Sequence, residues 1–237
     1  MNLFFVIGII FLFFLVFQFQ QKNRGRQKTE RIEKEGGSLL LSKSVMEFAY
    51  WLLNPLVKIC VALKISPNFL SFFCLVLAIF AGIALARGDF TLGGWLYVFS
   101  SLADALDGML ARARNVASDA GEVLDAAVDR YTELFFCFGL LIFYRNNLTA
   151  MLLTMFALTG CVMVSYATAK AESLQTAVPR GFMRRSERSV YFSLAALLTP
   201  QLLFDPMQIV LLFVGVLGNY SAIKRLHYLY CALKKKC

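Results

Sequence analysis

Long apolar runs separated by short polar breaks dominate the chain, and their lengths set the fold class. Leu3 to Phe19 is apolar and is followed by a polar, basic stretch from Gln21 to Ser44 that contains Gly36-Gly37. From Val45 to about Leu63, apolar residues recur at helical spacing (Val45, Phe48, Ala49, Leu52, Leu53, Leu56, Val57, Cys60). Glu47, Asn54, Lys58 and Lys64 interrupt them. That pattern predicts a helix lying in the interface plane, bent at Pro55, with a further core helix as the alternative. After the break Ile65-Ser66-Pro67-Asn68 come six runs: one to about Arg87, then Phe90–Arg112, Gly121–Tyr144, Leu148–Lys170, Ser186–Phe204 and Pro206–Tyr230. Crossing a bilayer takes about 20 mostly apolar residues. The expected fold is therefore all-α: a polytopic membrane helical bundle of six transmembrane helices, with a preceding interfacial amphipathic helix and an extra N-terminal anchor helix. The expected divisions are an anchor at 1–20, a basic cytoplasmic linker at 21–44, a membrane domain at 45–232 and a basic tail at 233–237.

Composition sharpens this picture. The hydrophobic fraction is 59%, above the roughly 45–50% of soluble domains. A soluble fold would have to hide too much apolar surface. The net charge of +9 raises the question of nucleic acid, but its placement answers it. Lys22, Arg24, Arg26, Lys28, Arg31, Lys34 and Lys43 follow the first apolar run, Arg180, Arg184, Arg185 and Arg188 share one linker, and Lys234, Lys235 and Lys236 close the chain. Short basic loops stay on the cytoplasmic side and attract anionic headgroups. Topology accounts for the charge without a nucleic-acid partner. It puts the 112–121 and 170–188 loops inside and the sparsely charged 87–89, 145–147 and 205–206 loops outside. The first run has no positive segment before it, so it reads as an uncleaved anchor with its N-terminus outside. Six Cys show neither paired nor metal-ligand spacing, and four lie in apolar runs as small hydrophobes. Cys237 ends the chain without a prenylation pattern, and His227 has no evident partner.

Most of the spanning runs lack acids. The inner end of one helix and the start of the next instead hold Asp104, Asp107, Asp125 and Asp129. Intramembrane carboxylates cost about 2.5–3.5 kcal/mol each at the bilayer centre, and four facing one another repel unless a cation compensates. Asp104, Asp107 and Ala111 share one helix face, and Gly121, Asp125 and Asp129 form a stripe on the next. A tight turn between the two helices brings these stripes together. All-oxygen carboxylate ligands suit Mg²⁺ or Mn²⁺, which also bind substrate phosphates. Gly108 and Gly121 leave room for a large group near the backbone, and Arg112 offers a bidentate fork to phosphate. Two other readings remain at this point. The acids form a proton or cation pathway in a small transporter, or an ion-pair network with Arg112, Arg114 and Arg130.

The stretch Asp104-x2-Asp107-Gly108-x2-Ala111-Arg112-x8-Gly121-x3-Asp125-x3-Asp129 resembles the full signature of the CDP-alcohol phosphotransferases. The resemblance extends in architecture from about Val45 to Tyr230 and does not include the N-terminal anchor. It implies that Asp104, Asp107 and Asp125 bind metal, and that Asp129 approaches metal and acts as general base. Gly108, Ala111, Arg112 and Gly121 would form the CDP-binding face. It implies phospholipid synthesis with release of CMP, two Mg²⁺ or Mn²⁺ ions, a homodimer, and an active site at the cytoplasmic face of the membrane. Positioning and electrostatics carry such phosphoryl transfers.

For the acceptor alcohol, Ser165-Tyr166-Ala167-Thr168-Ala169-Lys170-Ala171-Glu172 and Arg185-Ser186-Glu187-Arg188 resemble segments of the inositol-phosphate-using members. Those members usually carry a basic residue where Thr168 stands. Lys170, Arg185 and Arg188 are the candidate acceptor-binding residues, with topology as the other explanation of the arginines. A CDP-diacylglycerol donor with a phosphorylated polyol acceptor fits the basic loop best. The alternatives are a neutral acceptor such as serine or free inositol, or CDP-choline or CDP-ethanolamine donating to diacylglycerol.

Overall fold

The computed structural model describes residues 14–19, 43–178 and 183–234. Most of the anchor and linker, Arg180, Lys235, Lys236 and Cys237 lie outside the described residues. The chain divides into two compact units, 1–65 and 66–237. In the first, residues 14–19 are helical and α1 spans Lys43–Ala62 with Pro55 inside it. Phe14 and Phe17 pack their rings against Phe48, and Phe17 also meets Trp51.

The second unit contains α2 (Pro67–Ala86), α3 (Phe90–Ala113), α4 (Asp119–Phe143), α5 (Leu148–Ser173), α6 (Arg185–Leu198) and α7 (Pro206–Lys234). Side chains set the starts of several. Ser66, Asp89, Ser118 and Asn147 each accept a hydrogen bond from a first-turn N–H, those of Phe69, Leu92, Gly121 and Ala150. Between α3 and α4 the chain reverses at Asn115, whose φ of 53° suits Asn better than most residues. Backbone N–H groups of Asn115 and Val116 close the end of α3 on the Arg112 and Ala111 carbonyls.

Among the described residues, α1, α2, α5 and α7 are long and apolar enough to cross a membrane. So α1, expected in the interface plane, has the length and composition of a span as well. At 24 and 25 residues, α3 and α4 extend to about 36 Å, enough for a bilayer, but each carries charge at the end nearest their shared turn. The fifth expected run, Ser186–Phe204, is broken. In its place α6 stops at Leu198 after 14 residues and a 3₁₀ turn covers Thr199–Gln201. Pro200 has no N–H for the Ala196 carbonyl and ends the α-helical ladder there.

The core combines small residues and ring stacks with buried Leu85, Leu140, Met207 and Leu211, while other large apolar side chains such as Phe72, Phe80, Leu152, Ile209 and Phe213 face outward. This inside-out pattern suits lipid contact. Both α3 and α4 pack along α2 and hardly touch each other. At the α2–α4 crossing a Cβ on Gly139 would land on the Gly82 carbonyl, so the backbones meet directly. A similar approach of Gly160 to Gly218 joins α5 and α7. Tyr97, Phe136 and Phe192 stack in sequence, 4.3 and 5.2 Å between centroids, linking α3, α4 and α6. At the other end of α4, Tyr144 Oη donates to Asp205 Oδ2 at 2.5 Å.

One buried ion pair fixes α6 on α4. Arg188, 1% exposed, donates from Nε and Nη2 to the two oxygens of Glu133 at 2.7 and 2.9 Å. Its Nη1 donates to the Met183 carbonyl at 2.6 Å. Removing one partner of such a pair strands the other charge. Glu133→Ala is expected to destabilise the protein by about 3–5 kcal/mol, whereas Glu133→Leu combined with Arg188→Met restores most of the loss. Thermal unfolding of the purified variants in detergent checks this, and a single mutant as stable as the parent would refute the clamp.

Candidate active site

Because α2 holds α3 and α4 apart, their acidic stripes face a shared space at the end next to the Asn115 turn. Asp104 and Asp107 come from α3 and Asp125 from α4, and a carboxylate oxygen from each lies within 4.8 Å of the others. The predicted convergence of the two stripes is realised for these three. Asp107 is buried, and its Oδ2 accepts a 2.6 Å hydrogen bond from Ser71 Oγ on α2. That bond leaves Oδ1 for another partner. Asp104 Oδ1 is buried and has no hydrogen-bond partner. Three clustered carboxylates with an orphaned oxygen fit a hard divalent cation, which takes oxygen ligands and offsets their repulsion.

Asp129 is one turn further along α4 and joins the cluster through a cation of the protein itself. Arg185 Nη1 lies 2.5 Å from Asp104 Oδ2 and 2.5 Å from Asp129 Oδ1. The contact to Asp104 is a hydrogen bond, and that to Asp129 is an ion pair without hydrogen-bond alignment. Arg185 Nη2 also donates to Thr132 Oγ1 at 3.4 Å, and that hydroxyl donates to the Asp129 carbonyl at 2.9 Å. Arg185 is the first residue of α6, whose start is organised by Glu187 accepting from the N–H groups of Met183 and Arg184.

The expected nucleotide face lies on the same ends of α3 and α4. Gly108 and Ala111 are half-buried and Arg112 is exposed. A Cβ added to Gly121 would meet only Ser118 Oγ, 3.4 Å away, so open space lies in front of this glycine.

The three acceptor candidates separate. Arg185 reaches the carboxylates, and Lys170 is exposed on the last turn of α5. Arg188 is corrected from that role: Glu133 and the Met183 carbonyl occupy its guanidinium in the interior. Arg185 joins the acids as a cation from α6 beside the arginines 112, 114 and 130 considered from sequence, and Arg130 Nη1 donates to the Ala126 carbonyl.

Several side chains escaped sequence reasoning. Glu133 and Arg225 are charges within helices long enough to span a bilayer, and an ionisable residue at such a position was the available signal. Arg225 on α7, 9% exposed, donates from Nη1 to Thr168 Oγ1 at 2.5 Å. Its Nε is buried without a partner; Arg184 and Arg188 lie close enough to repel it and Glu187 close enough to attract it. Ser71 offered no signal, because its partner Asp107 is 36 residues away on the next helix.

Comparison with known proteins agrees with this geometry. The family model described as CDP-alcohol phosphatidyltransferase matches residues 64–220. An archaetidylinositol phosphate synthase from Methanothermobacter thermautotrophicus is 32% identical over 157 residues, 65% of this chain and 77% of that protein. A bifunctional IPC transferase and DIPP synthase from Rubrobacter xylanophilus is 36% identical over 163 residues, 68% of this chain but 36% of the longer protein. Two crystal structures of the phosphatidylinositol phosphate synthase of Mycobacterium tuberculosis share the fold at a TM-score of 0.67. One has CDP-DAG bound (23% identity) and the other holds manganese and citrate (22% identity); each covers 74% of this chain, against 92% and 88% of theirs. The matched span contains both acidic stripes and the turn between them, and the chain belongs to the CDP-alcohol phosphatidyltransferase family.

Proposed function

We propose that the acceptor is a phosphorylated polyol of the inositol phosphate type, and that transfer takes place at the cytoplasmic face. The chain moves a phosphatidyl group from a CDP-activated lipid to a polar alcohol and releases CMP. The observation supporting the acceptor is Arg225. A buried guanidinium with an unspent Nε, near Arg184 and Arg188 as well as Glu187, has a donor left for an anion. The names of the two curated relatives and of the crystallised synthase point the same way. A choline or ethanolamine headgroup would be repelled by these arginines. The cytoplasmic assignment is supported by Arg112, Arg114, Lys170 and Arg184 lying in the basic loops predicted to stay inside.

In this reading Gly108, Ala111 and Gly121 leave space for the nucleotide, and Arg112 forks its phosphates. The acceptor hydroxyl gives its proton to the Asp129 carboxylate as its oxygen bonds to the lipid-side phosphorus. The bond from that phosphorus to the CMP oxygen breaks, and CMP leaves with the electron pair. Ser71 keeps the Asp107 carboxylate oriented. Asp104, Asp107 and Asp125 would hold a divalent ion, and Asp129 adds the carboxylate for a second. Such ions neutralise charge on the pyrophosphate and the departing oxygen.

Purified protein given CDP-diacylglycerol is expected to release CMP with inositol phosphate or glycerol phosphate, and to stop after exhaustive chelation. Equal turnover with serine or free inositol would sink the acceptor assignment. Asp129→Asn should lower turnover by about 10²–10⁴-fold, the usual scale of general-base catalysis, while CDP-lipid still binds by calorimetry; full activity in that variant contradicts the base assignment. Arg225→Gln is expected to raise the KM for a phosphorylated acceptor about 10- to 100-fold, the scale of a charge-assisted hydrogen bond, and to leave the KM for CDP-lipid in place. A KM change shared by both substrates would count against it.

A further inference from the structure

We propose that Arg185 is an exchangeable counter-ion, so that its guanidinium and a second divalent cation compete for the Asp104–Asp129 pair. The proposal rests on the metal-binding reading of the carboxylates and adds a regulatory step to it.

The two arginines of α6 stand three residues apart and are held in opposite ways. Arg188 is matched to Glu133 by two parallel hydrogen bonds, and its third nitrogen is taken by the Met183 carbonyl. It is a fixed part of the interior. Arg185 is poorly matched to its acids. A single nitrogen, Nη1, is shared by two carboxylates, only one of those contacts is aligned as a hydrogen bond, and Nε is buried without a partner. The bidentate geometry that makes an Arg–carboxylate pair strong is missing. The side chain is also 23% exposed, against 1% for Arg188, so it has a route out. Nη2 adds a long 3.4 Å bond to Thr132 Oγ1, and at the first residue of α6 the positive end of the helix disfavours a cation.

Asp104 belongs to two constellations at once. With Asp107 and Asp125 it forms the three-carboxylate cluster, and with Asp129 it grips Arg185. A first ion among Asp104, Asp107 and Asp125 leaves Arg185 in place. A second ion using Asp104 and Asp129 must take the ground that Nη1 holds. The released guanidinium, on a flexible stem beside the basic loop, is then free to meet the acceptor's phosphate.

The test is Mn²⁺ binding to the full-length protein in detergent, followed by the electron paramagnetic resonance of free Mn²⁺, for the parent, Arg185→Gln and Arg185→Lys. The expected parent curve has one tight ion and a second that binds about tenfold or more weakly, because it displaces an ion pair. Arg185→Gln should tighten the second ion by about tenfold and leave the first nearly unchanged, with Arg185→Lys in between. Thermal unfolding gives an independent readout. Arg185→Gln melts below the parent in chelator, where Asp104 and Asp129 face each other uncompensated, and matches or exceeds it in saturating Mn²⁺. An unchanged second ion overturns the proposal, as does an equal tightening of both ions, which marks a general field effect. A melting deficit that persists in Mn²⁺ also overturns it, by making Arg185 a structural strut. Failure of every variant to bind Mn²⁺ removes the metal reading along with the proposal, whereas a normal first ion with an unaffected second removes the proposal alone.

Discussion

Like charges gathered where water is scarce must be balanced by cations, and the end of this bundle beside the Asn115 turn is organised around that requirement. Two carboxylates about 4 Å apart at an effective dielectric of 20 repel by about 4 kcal/mol, and here four lie on adjoining turns of two helices. The answer in the structure is a cation delivered by a third helix. That delivery depends on register. Arg188 is clamped to Glu133, which fixes the rotation and height of α6, and the same rotation carries Arg185 to Asp104 and Asp129. The clamp has no chemistry of its own and yet decides where a chemically important cation stands.

The second requirement is room. Direct packing of α3 on α4 would close the space between the acidic stripes. Its place is taken by α2, which lies along both, and the Gly82–Gly139 approach lets α2 sit deep against α4. Ser100 Oγ on α3 donates to the Cys74 carbonyl of α2 at 2.9 Å, so the α2–α3 seam is polar as well as close. These contacts separate the two acid-bearing helices along their length while the Asn115 turn keeps their charged ends together. The result is a cleft that is narrow at the carboxylates and open in front of Gly121.

How much of this was visible in the sequence follows from the range of each interaction. The helices of the second unit were legible because the length of an apolar run is a local property of the chain. The metal cluster was legible because spacings of three and four fix a helix face, and the intact signature joined the two faces. The end of α6 was misjudged because apolar character continues through Leu202, Leu203 and Phe204 while the backbone ladder fails at Pro200. The partner of each charge was not legible at all. Glu133 to Arg188, Asp107 to Ser71 and Thr168 to Arg225 are 55, 36 and 57 residues apart, and no local rule selects among the cations available.

A division of labour follows from where the cations originate. The carboxylate cluster and the glycines expected to face the nucleotide lie on α3 and α4. In the proposed reading the cations that meet the acceptor come from α5, α6 and α7, and of these Arg185 of α6 also touches the carboxylates. Thr168 illustrates this. A hydroxyl stands there in place of a base, and the charge arrives from across the bundle as Arg225, held by that hydroxyl. Moving a cation from one helix to another keeps the sign of the pocket while shifting the point from which it pulls. Acceptor preference in such a bundle is therefore a property of helix packing as much as of any motif, and the residues that set it are those that sequence spacing is least able to pair.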